Sequence, residues 1–187
     1  MTDDCDMVSE GYGELSLCAV EKIVSCLCYS LNPHSTVLDI GSGSGKVILC
    51  LQALLPFALR KALGVEIVPH RYEAGVAVQK KFESELQGHV TFENKNIFKS
   101  DEAKSTSWSH IIMFDKVFPH ETLSKFSQFF NDGTYLVSTH HKNFWNRILE
   151  QDDSQCRVKN LTSMQISRHA MFTQGLTLHI HKVQKGN

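Results

Sequence analysis

Residues 37–46 read Val-Leu-Asp-Ile-Gly-Ser-Gly-Ser-Gly-Lys, and no other stretch limits the fold of this chain as tightly. Apolar residues run into Asp39, after which Gly41, Gly43 and Gly45 fall on alternate positions. This is the pattern of a buried strand ending in a bend so tight that backbone itself touches a ligand. A Cβ there would oppose both the left-handed backbone angles and the close approach. A strand, a ligand-facing loop and a helix are therefore expected in succession.

Three nucleotide-type cofactors compete for such a loop. A phosphate-cradling loop needs Gly, four residues, then Gly-Lys-Ser/Thr. Here Ile40 stands where the first glycine belongs and Val47 where the hydroxyl belongs, so that reading fails twice. A dinucleotide loop wants a small residue at position 46 for close helix–strand packing, and Lys46 suits it poorly unless the helix is shifted. The third pattern, Asp-x-Gly-x-Gly-x-Gly, resembles the first motif of Rossmann-like S-adenosylmethionine-dependent methyltransferases, and every marked position is present. A purely structural turn with incidental glycines stays open.

A second acid speaks for a ribosyl cofactor. Ala62-Leu63-Gly64-Val65-Glu66 reads as a buried strand ending in a carboxylate. In doubly wound folds such an acid, about 20 or more residues past the first loop, accepts hydrogen bonds from ribose hydroxyls. The interval accommodates a helix from Val47 to about Leu55, stopped by Pro56. Pro69 then sits at the first turn of a further helix, where its missing N–H costs nothing. The plainer alternative for Glu66 is a solvated strand-end carboxylate.

The chain has 187 residues, enough for one hydrophobic core. It is expected to form one domain over 1–187: a helical and loop segment at 1–35, a cofactor-binding core at 36–140, and a hairpin region at 150–187. No apolar run is long enough to span a bilayer, and Leu15 to Leu31, broken by Glu21 and Lys22, reads as an amphipathic helix. The acidic N-terminal segment does not read as a signal peptide. Six scattered cysteines, none in C-x₂-C spacing, are expected to be buried, reduced thiols of an intracellular protein. The net charge of −1 gives no basic excess of the kind a freestanding nucleic-acid binder shows.

Further elements follow from periodicity. Arg71 to Leu86 has a helical period, Val90 to Phe92 is a short strand, and Trp108 to Phe114 is a buried β run stopping at Asp115. Glu121 to Phe130 reads as a helix, Tyr135 to Ser138 as a strand, and Trp145 lies in a short helix. Val158 to Ile166 and Leu176 to Val183 alternate as paired strands. Strands alternating with helices imply a mostly parallel, doubly wound α/β sheet, closed here by an antiparallel hairpin. In such sheets ligands bind beyond the carboxyl ends of the strands. Asp115 and Phe118 are thus candidates to hold an incoming amine, against the plainer reading of a turn-capping Asp and a core Phe.

Tyr12-Gly13-Glu14 with Ser16, then Asp39 to Val47, then Gly64-Val65-Glu66, occur in that order. Together they resemble the core of the Dot-type (disruptor of telomeric silencing) histone H3 lysine methyltransferases, over residues 12 to about 140. The resemblance implies a Rossmann-like fold, S-adenosyl-L-methionine as cofactor and a nuclear enzyme. Its substrate would be a lysine in the globular core of histone H3 on nucleosomes, with nucleosomal DNA or other histones as further contacts. It places Tyr12, Glu14 and Ser16 over the methionine moiety, and Asp39, Gly41, Ser42, Gly43, Gly45 and Lys46 along the cofactor loop. Glu66 with Ile67 would take the ribose side, and Asn96 with Ile97 would frame the adenine. Asp115, Lys116 and Phe118 would border the acceptor channel beside Tyr12, with Asp115 also near the cofactor and Phe172 standing in for a channel Trp. The chain departs from the family at Lys46 (Gln there), Asn96-Ile97 (Asp-Phe) and Asp115-Lys116-Val117 (Asn-Asn-Phe).

Two other functions remain open. Asp115-x-x-Phe118 has the outer spacing of the Asn/Asp-Pro-Pro-Tyr/Phe motif of enzymes that methylate amino groups of nucleic-acid bases or glutamine, although Lys116-Val117 replaces both prolines. A scaffold subunit that keeps the fold is the non-enzymatic alternative. His140-His141 and the alternating His179 and His181 are read as ordinary hydrogen-bonded histidines, since no third metal ligand is identifiable and methyl transfer needs no metal.

Overall fold

The computed structural model describes residues 15–86, 88–151, 155–166 and 176–186. Tyr12, Glu14 and Phe172 lie outside the described residues. The chain opens with helix α1 (Leu17–Leu27), whose Ser16 hydroxyl accepts the Ala19 N–H at 3.2 Å. Such a cap satisfies one of the donors a helix start leaves unpaired. Strand β1 (Thr36–Ile40) leads through the glycine loop into α2 (Lys46–Leu54), and β2 (Lys61–Glu66) into α3 (Pro69–Lys81). Then come β3 (Thr91–Asn94), α4 (Asp101–Ser105), β4 (His110–Met113), α5 (His120–Lys125), β5 (Tyr135–Ser138), α6 (Lys142–Gln151), β6 (Cys156–Ile166) and β7 (Leu176–Lys185).

The seven strands form one sheet in the order β3-β2-β1-β4-β5-β7-β6. Neighbours from β3 through β5 are parallel, while β7 runs antiparallel to both β5 and β6. The order reverses between β1 and β4, so the cleft beyond their carboxyl ends is the place for a ligand. Val37 and Ile112 face one way, into a core completed by Val20 and Ile23 of α1 and Ile48 and Leu51 of α2. Leu38 and Ile111 face the other way, into a core with Trp108, Phe126 and Trp145. The expected doubly wound sheet with a closing hairpin is what the chain forms.

Several boundaries differ, each for a visible reason. The helical period from Arg71 stops at Lys81 rather than Leu86, because Phe82 leaves the αR region and a 3₁₀ turn, Glu83–Glu85, follows. The Glu121 to Phe130 helix is α5 plus a tighter turn, Phe126–Phe129, that buries both end rings. Trp108 lies outside β4, its indole N–H donating to the Ala103 carbonyl at 2.7 Å. The described thiols are not uniformly buried: Cys18, Cys26 and Cys28 are exposed on or just after α1, Cys50 is half-buried and Cys156 is buried. No helix among the described residues is long and apolar enough to cross a membrane.

Candidate active site

The bend of the glycine loop rests on the backbone conformation of its glycines. Gly41, Gly43 and Gly45 have φ of +72°, +56° and +73°, left-handed angles that residues with a Cβ rarely hold. A Cβ on Gly45 would lie 2.8 Å from Phe92 Cε1, so this position is closed by packing as well as by backbone angle. Gly41 and Ser42 N–H groups donate to the Val65 carbonyl at 2.9 and 3.1 Å, which pins the loop to β2. The ammonium of Lys46, on the first turn of α2, donates to the Leu15 carbonyl at 2.9 Å and ties the loop to the segment ahead of α1.

Glu66 is the clasp of the site. Its carboxylate is buried and accepts the Gly43 N–H and the Val68 N–H, each at 2.8 Å. One side chain thereby joins the glycine loop after β1 to the turn entering α3. A carboxylate offers about four acceptor positions, so two bonds leave it able to receive hydroxyl donors as well.

Asp39 sits behind the loop with 2% of its surface exposed. Its Oδ2 has no hydrogen-bond partner among the described residues, nor does Ser42 Oγ. Burial pushes the Asp39 carboxyl up to about 7, and the neighbouring Glu66 charge adds to the rise. A buried, unpaired carboxylate is costly, and a cationic group brought into the loop would relieve that cost.

Beside the loop lies a pocket of about 440 Å³. Ile40, Val65, Ile67, Ile97, Phe118 and Phe126 give it apolar walls, with Lys95, Asn96 and Thr122 as polar side chains. The Asn96 side chain accepts the Phe98 N–H at 3.0 Å and so fixes the turn that carries Ile97. The Phe118 ring meets Phe126 edge-on at 5.1 Å between centroids, and a Cβ on Gly41 would come within 3.3 Å of Phe118. The structure places Gly41, Ile67, Asn96, Ile97 and Phe118 on the pocket wall, while Asp39, Ser42, Gly43, Gly45 and Glu66 belong to the adjoining glycine loop and the strand ends that hold it. Lys95, Phe98, Thr122 and Phe126 also line the pocket, although no sequence pattern singled them out.

Asp115 and Lys116 part ways. Lys116 is exposed. Asp115 is fully buried, and its carboxylate accepts the Ser138 hydroxyl, the Thr139 N–H at 2.7 Å and the Thr139 hydroxyl. Ser138 in turn receives the Trp145 indole N–H at 2.7 Å and the His140 N–H at 2.9 Å. Asp115 thus fastens the carboxyl end of β4 to that of β5, rather than presenting an open carboxylate. Ser16, taken up by its helix cap, likewise supports the neighbouring segment. Asp115→Ala is expected to cost about 3 kcal/mol of folding stability by stranding buried donors, with cofactor affinity unchanged; chemical denaturation and calorimetry measure the two.

Around this anchor are five histidines. His140 stacks on Phe144 at 3.9 Å, His120 meets the same ring edge-on at 5.1 Å, and His179 lies 5.4 Å from His141 and 5.7 Å from His181. Among the described residues no group of three or more His, Cys, Asp or Glu is arranged to hold a metal ion.

The sequence model of the family described as "Histone methylation protein DOT1" matches residues 6–141. A release factor glutamine methyltransferase of Bacteroides thetaiotaomicron is 33% identical over 82 residues, which is 43% of this chain and 27% of that protein. The aligned part spans about a quarter of that relative's length. Magnesium protoporphyrin IX methyltransferase from Synechocystis PCC 6803, solved with bound SAH, superposes with a TM-score of 0.63 at 15% identity, covering 94% of this chain and 90% of that one. Pyrococcus horikoshii TYW2, solved with MeSAdo, gives 0.70 at 16% identity, covering 96% and 67%. At such identities the likeness is one of fold, the Rossmann-like methyltransferase architecture.

Proposed function

The chain belongs to the histone methylation protein DOT1 family, and from that membership we propose that it transfers a methyl group from S-adenosylmethionine to a lysine in the globular core of histone H3, presented on nucleosomes in the nucleus. One observation carries this reading: the matched span, residues 6–141, contains the glycine loop, Glu66, the pocket and the Asp115 turn.

The residues present fit the cofactor. The unpartnered Oδ2 of Asp39 suits an amino group, Glu66 has acceptor positions left for ribose hydroxyls, and the apolar slot between Ile97 and Phe118 suits a planar base. The loop amides at Gly41 to Gly45 approach as bare backbone. When bound, the cofactor supplies an electrophilic methyl group on a sulfonium. What the chain does is positional: Glu66 and the loop fix one reactant, while the β4 and β5 ends, locked by Asp115, fix the entry of the other. Alignment of this kind and exclusion of water are the main levers for a displacement reaction. Net charge −1 makes contact with nucleosomal DNA a matter of local patches or of histone surfaces.

The test is transfer of labelled methyl from S-adenosylmethionine to nucleosomes, free histone H3, a glutamine-containing peptide, DNA and RNA, each offered separately. Label on a lysine of nucleosomal H3 is the expected result, and label confined to another acceptor would overturn it. A second reading, transfer to a glutamine amide, is favoured by the 33% identity to the release factor enzyme and by the Asp115-x-x-Phe118 spacing. A scaffold without activity would show no heat on mixing with the cofactor.

A further inference from the structure

Two imidazoles at the carboxyl edge of the sheet have their hydrogen-bonding roles set by their neighbours. His179, on β7, lies opposite Ser138, the last residue of β5. Its Nδ1 is 2.7 Å from Ser163 Oγ, which already receives the Asn160 amide N–H at 3.2 Å. The hydroxyl proton then goes to Nδ1, and the ring's own N–H lies on Nε2. His141, just past the end of β5, accepts the Asn143 N–H on Nδ1 at 3.4 Å, so its proton also belongs on Nε2. A neutral imidazole has one donor and one acceptor, and on both rings the acceptor is turned to the protein. Each ring therefore has an N–H donor left over. The two centroids are 5.4 Å apart with 78° between planes, and neither Nε2 has a hydrogen-bond partner among the described residues.

The charges around these donors have one sign. Lys116, exposed on the turn after β4, acts on both His140 and His179. Lys142, also exposed, opens α6, whose first turn holds no acid. The carboxylate acting on the group is Asp115, which is buried and occupied by Ser138 and Thr139. The exposed acid nearest along the chain is Glu121, on α5. Burial holds His179 below the usual histidine range, and His141, His140 and Lys116 push the same way, against Asp115. Donors and cations gathered without a free acceptor make a seat for an oxyanion. The group borders the pocket through the Lys116 turn, which carries Phe118 onto the pocket wall.

We propose that His141 and His179, with Lys116 and Lys142, bind backbone phosphates of the DNA in a nucleosomal substrate, a partner that rests on the histone reading above. The Nε2–H groups donate to non-bridging oxygens, and the ammonium groups supply charge. The donors sit on two steeply inclined rings with no arginine fork among them, which suits a tetrahedral anion better than a planar carboxylate. Phosphate contacts fix register and orientation without reading sequence. Here they set how the substrate approaches the pocket.

The experiment measures the affinity of the protein for a short labelled DNA duplex across a salt series, by fluorescence anisotropy. The wild type is compared with Lys116→Gln, with the double variant His141→Gln/His179→Gln, and with Lys61→Gln, at the amino end of β2 on the opposite edge of the sheet. The wild type is expected to bind, more weakly as salt rises. Lys116→Gln should flatten the slope of log affinity against log salt by about one. The histidine pair should weaken binding about tenfold, and Lys61→Gln should match the wild type. No binding by the wild type, wild-type binding by both site variants, or an equal loss in Lys61→Gln would each overturn the assignment. Lys116 is exposed, so Lys116→Gln decides the matter even if the histidine pair does not fold. Methyl transfer separates the two levels of the reading. The histidine pair should raise KM for nucleosomes, with transfer to free histone H3 and calorimetric affinity for S-adenosylhomocysteine unchanged. An equal loss on free histone H3 would assign the donors to a histone carboxylate instead of DNA. A wild type that binds DNA through these residues but labels no nucleosomal lysine defeats the histone reading and leaves the phosphate site standing. Labelling of nucleosomes that is indifferent to every variant defeats the phosphate site alone.

Discussion

Replacing Asp39 by Asn is expected to weaken S-adenosylmethionine binding about a hundredfold, the usual scale for removing one partner of a buried charged pair, while making the ligand-free protein more stable at pH 8. Both effects come from one carboxylate. It is buried, has an oxygen without a partner among the described residues, and is pushed up by burial to about 7 from the ordinary 3.8. Below pH 3.8 both folded and unfolded chains carry the proton, and the group has no effect on stability. As pH rises toward 7 the unfolded chain loses the proton and the folded one keeps it, so stability falls, and above 7 the whole penalty is present. That penalty is on the order of 4 kcal/mol, and a buried amide retains part of it. The net gain for Asp39→Asn is then about 2 kcal/mol, or ~5 °C in melting temperature. Melting curves between pH 5 and pH 8 test the sign: the wild type should lose stability across this window and the variant should lose less. Equal slopes would show that Asp39 carries no buried charge.

Glu66→Ala should be worse on both counts. The substitution strands the Gly43 and Val68 amides, which the carboxylate now receives at 2.8 Å each. Leaving one buried and one half-buried donor unpaired costs about 3 kcal/mol. On the proposed cofactor placement it also removes the acceptor for two ribose hydroxyls, and bonds to a charged group are worth about 1.5–3 kcal/mol apiece, so cofactor affinity should drop by about a thousandfold. Glu66→Gln, which keeps one acceptor oxygen, should fall between Glu66→Ala and the wild type. Denaturant titration and calorimetry report the two losses separately. A stable Glu66→Ala protein with undiminished affinity would show that the loop does not depend on this clasp.

What could be read from the sequence was local. The glycine bend, the apolar run into Asp39, Pro69 at a helix start and Ser138 at a strand end each depend on residues adjacent in the chain. Five-residue α4 escaped notice because so short a helix shows no period, and its support comes from outside it, from the Trp108 indole on the Ala103 carbonyl. The pocket was legible at Ile67, Asn96 and Ile97 only through family resemblance. Lys95, Phe98, Thr122 and Phe126 reach it from separate turns that only the folded sheet brings together. The same holds for Asp115, whose partners lie 23 and 24 residues downstream and meet it through the parallel pairing of β4 with β5. A strand-end carboxylate reads identically whether it faces substrate or a neighbouring strand.

Glu66 holds Gly43 and Val68 together through the protein's own hydrogen bonds. If the donor sits on this loop as proposed, spent and fresh donor would be held through the same adenosyl and amino-acid handles. Only the methyl group and the sulfonium charge distinguish the two, so turnover would then depend on how quickly the demethylated by-product is cleared.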